Sequence, residues 1–316
     1  MKFKYLLPLL LFFFFVDAVQ AQTKSFKIVP LGVLGGVDES NMSAYMLAAS
    51  GTNNYICLDA GTLYNGLKQA VANKIFNISP EQVLRQYIKG YFISHAHLDH
   101  VSGLIINSPI DTNKNIYAFA DCINTIKTHY FTPKSWSNFG NEGEAPILNK
   151  YTYKVLTPAA ETAIENTKFT VKAFPLSHSN LTSTAFLIKS NNAYALYLGD
   201  VGSDAIEKST NLQNLWLAIA PLIKSKQLKA IMIEVSFPNE QPDGSLYGHL
   251  TPRLLMAEME KLSQLTGASA LKNLNVIVTH FKLPTTNITK IKAQLKVENK
   301  LGLSLIYPVQ GNMLEF

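Results

Sequence analysis

Three histidines and an aspartate lie within six residues of one another near the middle of the first half of the chain. They are His95, His97, Asp99 and His100, and the apolar run 91–93 directly precedes them. In an extended chain the side chains alternate between two sides, so His95 and His97 point the same way, whereas a turn after His97 directs Asp99 and His100 elsewhere. Imidazole and carboxylate together favour zinc, manganese or iron over calcium and magnesium. The spacing therefore predicts a loop that contributes ligands to two neighbouring metal ions.

The same stretch resembles a known family pattern. HxHxDH at residues 95–100 is similar to the metal-binding motif of the metallo-β-lactamase superfamily. The longer string 95–109, HAHLDHVSGLIINSP, resembles the narrower pattern of the class II cyclic-nucleotide phosphodiesterases, in which HxHLDH is followed by an apolar residue, a Gly, three aliphatics and Ser-Pro. The short motif implies an α+β fold, a four-layer αβ/βα sandwich with two mixed sheets face to face and helices outside. Periodicity alone predicts only a mixture of helices and strands.

Two further histidines and an aspartate occur in the order of the family pattern, each just after a predicted strand. A histidine standing alone at such a position is more often a core or surface residue than a ligand. The resemblance, however, implies two divalent metal ions, zinc in the first instance and manganese or iron as alternatives. In the implied arrangement the first metal is held by His95, His97 and His178, the second by Asp99, His100 and His280, and Asp200 bridges the two.

Three other residues are candidates for supporting roles. Asp59, in a DxG at a strand end, is implied by the resemblance to orient a metal-bound histidine, and an ordinary turn aspartate fits equally well. His249, in the GHLTP segment 248–252, can donate to a phosphate oxygen, protonate a leaving oxygen or cap the following helix. Lys282 offers a positive charge to a phosphate or is a solvated surface lysine. His129 lies in a predicted helix without metal-like neighbours and is expected to be structural.

The resemblance implies hydrolysis of a 3′,5′-cyclic nucleotide, cAMP or cGMP, to the nucleoside 5′-monophosphate. Two ions roughly 3.5–4 Å apart share a water, lower its pKa and aim the hydroxide at phosphorus, in line with the ribose 3′-oxygen that leaves. Asp99 can accept a hydrogen bond from this nucleophile and orient it. The alternatives are an exported hydrolase of β-lactams or lactones with the same fold, and an exported protein that binds nucleotide or metal without turnover.

The pattern of apolar runs, turn residues and caps predicts strands that deliver the candidate ligands. A Ser-Pro-Glu-Gln segment at 79–82 has the composition of a helix start. The predicted strands cover 26–32, 43–49, 55–58, 91–93, 115–120, 168–174, 183–189, 193–198, 228–234 and 275–279, and the predicted helices include one that Asp121 caps, a long one over 205–223 and one over 253–265.

Residues 1–21 are typical of a secretory signal peptide. Lys2 and Lys4 precede the apolar run 5–16, and Val19-Gln20-Ala21 forms a small-residue cleavage site. The apolar run is shorter than the roughly 20 residues that cross a bilayer. We therefore expect residues 22–316 to form a single catalytic domain, exported to the periplasm or the cell exterior, with no stable membrane insertion after cleavage.

The composition narrows the classes of partner that the protein is expected to bind. The formal net charge is +6, and the basic residues are scattered along the sequence, so nothing marks a nucleic-acid track and the expected partner is a small cyclic nucleotide. The two cysteines, Cys57 and Cys122, lie outside any CxxC motif, so whether they pair is left open. The sequence also leaves the oligomeric state open, a homodimer included.

Overall fold

Two seven-stranded sheets pack face to face in the computed structural model, which describes residues 24–316. The predicted signal peptide at 1–21 lies outside these residues. The first sheet has the strand order β14-β1-β2-β3-β4-β5-β6. Its strands are β1 (Phe26–Gly32), β2 (Ala44–Ala49), β3 (Tyr55–Leu58), β4 (Ile88–Phe92), β5 (Lys114–Ala118), β6 (Tyr151–Val155) and β14 (Leu314–Glu315).

The second sheet has the order β13-β12-β11-β10-β9-β8-β7. Its members β10 to β13 run parallel to one another, whereas β7, β8 and β9 form antiparallel pairs. In the first sheet β3 to β6 run parallel, whereas the pairs that join β14, β1, β2 and β3 are antiparallel, so both sheets are mixed. The strands are β7 (Glu161–Ala163), β8 (Phe169–His178), β9 (Leu181–Ser190), β10 (Ala193–Leu198), β11 (Leu228–Glu234), β12 (Asn275–Thr279) and β13 (Ser304–Ile306).

The helices connect the parallel strands and cover the outer faces of the sheets. Such crossovers are what parallel pairing requires. The helices are α1 (Tyr64–Ala72), α2 (Pro80–Gln82, continued by a π-helical turn Val83–Tyr87), α3 (Leu98–Asn107), α4 (Ala120–Thr125, continued by Ile126–Tyr130), α5 (Asp204–Glu207), α6 (Asn211–Lys224), α7 (Pro252–Thr266) and α8 (Thr285–Glu298).

Apolar side chains fill the space between the sheets. The ring of Phe92 in β4 packs edge-on against Phe186 in β9, with centroids 5.3 Å apart. Tyr45 of β2 meets Tyr197 of β10 at 5.9 Å. Because each of these pairs joins one sheet to the other, the inner faces form one shared core. The predicted αβ/βα sandwich is confirmed.

Several local predictions agree with the structure and others were wrong. Ser79 is the N-cap of α2 in a reciprocal capping box with Gln82, as its sequence predicts. Asp121 lies in the first turn of α4, which begins one residue earlier, and is not its cap. The expected single helix over 205–223 is two helices, because Lys208 adopts a left-handed conformation between them. The strands β6, β7, β13 and β14 were not predicted.

The carboxyl ends of parallel strands from both sheets meet at one edge of the sandwich. β4 leads to His95, β10 to Asp200 and β12 to His280, while β8 ends at His178 itself. Strand ends are fixed by the ladder behind them, so side chains that follow them are held in a defined place. The residues that the sequence predicts to bind metal therefore lie together at this edge.

Candidate metal centre

The loop after β4 carries the densest group of candidate ligands. The backbone stays extended through His97, which is the N-cap residue of α3, and then turns into the helix. This change of direction places Asp99 and His100 in the first turn of α3, on a different side from His95. His95 and His100 are buried, and His97 is exposed at the rim. The centre is thus enclosed by protein and open to solvent beside His97.

Four side chains converge on one point. Nε2 of His95 lies 3.0 Å from Nδ1 of His97, and Nε2 of His178 lies 3.4 Å from the same atom. The Oδ2 atom of Asp200 is 3.7 Å from Nε2 of His95 and 3.8 Å from Nε2 of His178. The structure therefore brings together the three histidines that the sequence assigns to the first metal.

A second group converges beside the first. Nε2 of His280 lies 3.2 Å from Nε2 of His100 and 3.3 Å from Oδ2 of Asp99. The Oδ1 atom of Asp200 lies 3.3 Å from Nε2 of His100 and 3.2 Å from Nε2 of His280. Asp200 consequently turns one carboxylate oxygen toward each group of ligands, as the bridging role requires.

The donor set fits a divalent transition metal. Metal–nitrogen bonds of about 2.0–2.1 Å in a tetrahedron separate the ligand atoms by about 3.3 Å, close to the spacings within both groups. The potential ligand atoms of each group lie within 4.8 Å of one another. Burial lowers the pKa of His178 to about 4 and lowers that of His95 well below its usual value, which keeps both imidazoles neutral and able to bind a cation.

Asp59 is the centre of a buried hydrogen-bond network behind the second group. Its Oδ2 atom accepts from Tyr197 Oη at 2.5 Å and from Ser94 Oγ at 2.8 Å, and Ser94 N donates to Oδ1 at 2.7 Å. Nδ1 of His100 lies 2.8 Å from Oδ2. This contact directs Nε2 of His100 toward Asp200, so Asp59 lies where the sequence expectation places it.

Backbone contacts orient the two histidines that come from the second sheet. Nδ1 of His178 donates to the carbonyl oxygen of Gly248 at 2.9 Å, which leaves Nε2 free to bind a cation. The ring of His280 fills the space beside Gly35, where an added Cβ would lie 2.2 Å from the ring. His280 itself has a φ of +56°. Such strain in a residue other than glycine is typical of functional sites.

His249 lies at the same edge and pairs with Glu234, a residue that the sequence analysis missed. Nδ1 of His249 is 2.7 Å from Oε1 of Glu234, and both side chains are buried. Burial lowers the pKa of His249, but the Glu234 and Asp200 carboxylates raise it more, so the pKa is raised overall. A charged residue ending the apolar strand β11 was the signal that could have identified Glu234.

Ser236 connects this pair to the second group of ligands and was also missed. Its hydroxyl donates to Oε2 of Glu234 at 2.6 Å and lies 3.0 Å from Nδ1 of His280. Ser236 therefore links His249, in the segment before α7, to His280, which follows β12. Nothing in the local sequence around Ser236 marks this role, because both histidines are distant in the chain.

Lys282 lies beside the site and His129 does not. The Lys282 ammonium is 5.5 Å from the ring centroid of Phe237, and that ring is 5.8 Å from the His249 ring. Lys282 is therefore at the rim, without a contact that fixes it on a phosphate. His129 is exposed in the π-helical turn after α4, consistent with the structural role expected for it.

The fold and the site together define the class of protein. Unliganded yeast PDE1 superposes with a TM-score of 0.83 and 23% identity, covering 93% of this chain and all of that one. The metallo-β-lactamase fold protein YhfI from Bacillus subtilis superposes with a TM-score of 0.60 and 18% identity, covering 92% of this chain and 99% of that one. The chain therefore has the metallo-β-lactamase fold.

Sequence comparisons identify the family. The profile of the class-II cAMP phosphodiesterases matches residues 23–311. The chain is 42% identical to a 3′,5′-cyclic-nucleotide phosphodiesterase of Aliivibrio fischeri, covering 95% of this chain and 96% of that protein. It is 39% identical to a probable 3′,5′-cyclic-nucleotide phosphodiesterase of Yersinia pestis, covering 93% of this chain and 90% of that protein. The chain belongs to the class-II cAMP phosphodiesterase family, as its motif predicts. In the part of the chain that the structure describes, no helix is both long and apolar enough to cross a membrane.

Proposed function

We propose that the chain hydrolyses 3′,5′-cyclic nucleotides to nucleoside 5′-monophosphates. The observation that carries this proposal is the position of Asp200, whose two oxygens face two separate groups of ligands in a member of this family. A paired site suits a phosphodiester because the reacting phosphate becomes more negative as it is attacked. The relatives named above carry the same activity in their names.

We assign the ligands as the sequence predicts. Zinc is the metal that the donor set favours, with manganese or iron as alternatives. When bound, a pair of divalent cations lowers the pKa of a water molecule and neutralises charge on the phosphate. His95, His97 and His178 would hold the first cation, and Asp99, His100 and His280 would hold the second. Asp200, with one oxygen facing each group, would contribute to both.

The protein supplies the remaining steps through hydrogen bonds and proton transfer. Gly36 N donates to Oδ2 of Asp99 at 2.8 Å, which fixes that carboxylate where it can accept a hydrogen bond from the attacking water. Glu234 and Asp200 raise the pKa of His249, which favours its protonated form, and this imidazolium gives its proton to the ribose 3′-oxygen as that oxygen leaves. Lys282 contributes positive charge at the rim.

Export and domain organisation complete the proposal. The sequence of residues 1–21 has the three regions of a secretory signal peptide, so the enzyme acts in the periplasm or outside the cell. Residues 22–316 then form one catalytic domain, in agreement with ligands drawn from both sheets. Its substrate is a small molecule, and it needs no nucleic-acid partner.

A parallel assay tests this function. Purified protein is supplied with cAMP, cGMP, nitrocefin and a lactone, with and without a chelator, and the products are separated to tell a 5′- from a 3′-monophosphate. We expect chelator-sensitive release of the 5′-monophosphate. His178→Ala should abolish it, and His129→Ala, a histidine outside the site, should not. Turnover of nitrocefin or the lactone alone would assign a different substrate, and nucleotide binding without product would indicate a capture protein.

A further inference from the structure

Lysines that are scattered in the sequence converge at the edge of the sandwich opposite the candidate metal centre. This edge is formed by the amino ends of the parallel strands, whereas the candidate ligands follow their carboxyl ends. The seven residues of β11 separate the two edges by about 20 Å. The basic residues are scattered along the sequence, and in the folded chain several lysines meet at this edge. We call the lysine-bearing edge the basic face.

One half of the basic face is a groove below the second sheet. Lys224 is the last residue of α6, Lys226 follows it, and Lys229 is near the start of β11. Together with Lys272, which lies just before β12, they line this groove. Three of the four are exposed, and Lys229 is half-buried. The other lining residues are apolar or neutral polar, so the groove holds four positive charges and no negative one.

The other half lies below the first sheet. Lys89, Lys114 and Lys150 line a depression there together with several asparagines and Glu165. Lys114 is neutralised by the buried Asp111. Lys89 and Lys150 donate to backbone carbonyl oxygens, which position their ammonium groups without cancelling their charge. Among residues 24–316, no ion pair forms on these two lysines or on the four of the groove.

The chemistry of this face favours an anionic lipid surface over a nucleic acid. Its cations are lysines, which bind phosphate as point charges. Nucleic-acid recognition commonly uses arginine, whose planar guanidinium group donates two hydrogen bonds to one phosphate. Among the exposed large aromatic side chains of the described residues, Trp136 lies beside the second cluster, because its indole nitrogen donates to Ser108, whose carbonyl oxygen accepts from Lys150. No aromatic side chain lines the groove that holds four lysines, so no series of stacking platforms interleaves the charges there. Lysines at the strand starts and in the adjoining segments at one edge of two sheets suit a broad anionic plane.

The course of the chain also favours a membrane at the basic face. β1 begins at this edge, where Phe26 packs against Phe169 at the start of β8 with centroids 6.1 Å apart. In the sequence the apolar run 5–16 precedes Phe26 by ten residues. The described part of the chain therefore begins at the basic face, on the side opposite the metal centre.

We propose that the basic face docks the protein on an anionic phospholipid bilayer, with the metal centre directed away from the lipid. Lysines near such a surface contribute attraction that falls off within a Debye length, so docking is reversible and sensitive to salt. In this orientation the rim beside His97 stays open to small molecules while the protein is bound.

Vesicle co-sedimentation tests this proposal. The purified protein, in the processed form that the expression host produces, is mixed with vesicles of phosphatidylcholine alone or with added phosphatidylglycerol, at low and high salt. A double variant Lys224→Glu/Lys272→Glu is compared with Lys68→Glu/Lys290→Glu, which makes the same change in charge on the outer faces of α1 and α8. Cyclic-nucleotide turnover of every variant is measured in parallel.

We expect binding to the anionic vesicles only, lost at high salt. The basic-face variant should bind at least about tenfold more weakly, because about 1 kcal/mol per lysine is removed, and the control variant should bind as the natural protein does. Equal binding of the two variants, or no binding at low salt, would overturn the proposal, as would binding to duplex DNA or RNA without binding to vesicles. Unchanged turnover in the variants shows that docking and catalysis are separate, and absent turnover in the natural protein would contradict the proposed function alone.

Discussion

The carboxylate of Glu234 lies 2.7 Å from Nδ1 of His249 and is buried with it at the edge where the candidate ligands meet. Val201 N also donates to this carboxylate at 2.9 Å, which fixes its position independently of the histidine. Because this contact engages Nδ1 of His249, Nε2 is the nitrogen left to donate a proton. The pair therefore supplies what cleavage of an alkoxide leaving group needs, a cationic donor in a fixed place.

Replacing Glu234 by Gln should move the pH dependence of turnover. The raised pKa of His249 keeps its proton to higher pH, and removal of the Glu234 charge lowers that pKa. Activity that depends on protonated His249 is present below this pKa and lost above it, so the alkaline limb of the profile should shift to lower pH. The pH dependence of kcat for cAMP measures the shift, and Glu260→Gln on the exposed face of α7 is the matched control.

His249→Ala should slow cleavage of cAMP by about 10²–10⁴-fold, because a proton donor is lost. An aryl phosphodiester such as bis(p-nitrophenyl) phosphate has a leaving group that needs no proton, so its turnover should fall much less. Metal analysis should find as much bound metal in the purified variant as in the natural protein. Parallel losses on both substrates together with loss of metal would instead make His249 a ligand or a support of the ligands.

Asp200→Asn should lower both metal content and activity. Its two oxygens face different groups of ligands, and an amide offers one neutral oxygen in place of a charged pair. Metal analysis after dialysis against a weak chelator, alongside turnover, measures the effect. Asp121→Asn, an exposed aspartate in α4, should change neither. Natural metal content and turnover in the Asp200 variant would remove the bridging assignment.

Gly35→Ala should displace His280. An added Cβ would lie 2.2 Å from the imidazole ring, too close for the ring to stay in place. We expect weaker metal retention and at least about tenfold lower turnover, since misplaced ligands bind metal poorly. Gly244→Ala, where a Cβ meets no atom within 4 Å, should behave as the natural protein. Equal behaviour of the two variants would show that the Gly35 contact does not position His280.

Asp59→Asn should loosen the second group of ligands without unfolding the chain. The Asp59 carboxylate contacts Nδ1 of His100 and orients its ring. Loss of a residue that hydrogen-bonds a metal ligand in this way typically lowers metal affinity by about 10–100-fold. Competition with a coloured chelator measures the affinity, and the thermal unfolding midpoint checks the fold. Unchanged affinity in a folded variant would leave Asp59 with a purely structural role.

The residues that the sequence assigns to the metal centre lie together in the structure because they follow strands and occur in a fixed order. His95, His178 and His280 come from different parts of the chain, yet each follows or ends a strand, and such ends meet once the strands pair. The family resemblance supplied the sandwich that periodicity alone does not distinguish from other mixed folds. Strand pairing between distant segments is what local patterns leave undetermined.

Residues that support the site through distant partners escaped prediction. Glu234 and Ser236 act on His249 and His280, and Tyr197 acts on Asp59, across separations that no local motif records. The break between α5 and α6 was missed for a different reason. Lys208 adopts a left-handed conformation, which a lysine in the sequence does not predict. Tertiary packing overrides the helical periodicity at this position.

Reconstitution of metal-stripped protein tests the central claim most directly. The protein is stripped with a chelator, and zinc or manganese is added back in steps while release of the 5′-monophosphate from cAMP is followed. If Asp200 joins two cations in one site, turnover should be absent in the stripped protein and should rise until two equivalents per chain are bound. Full turnover in the stripped protein, or full recovery at one equivalent, would contradict the paired centre.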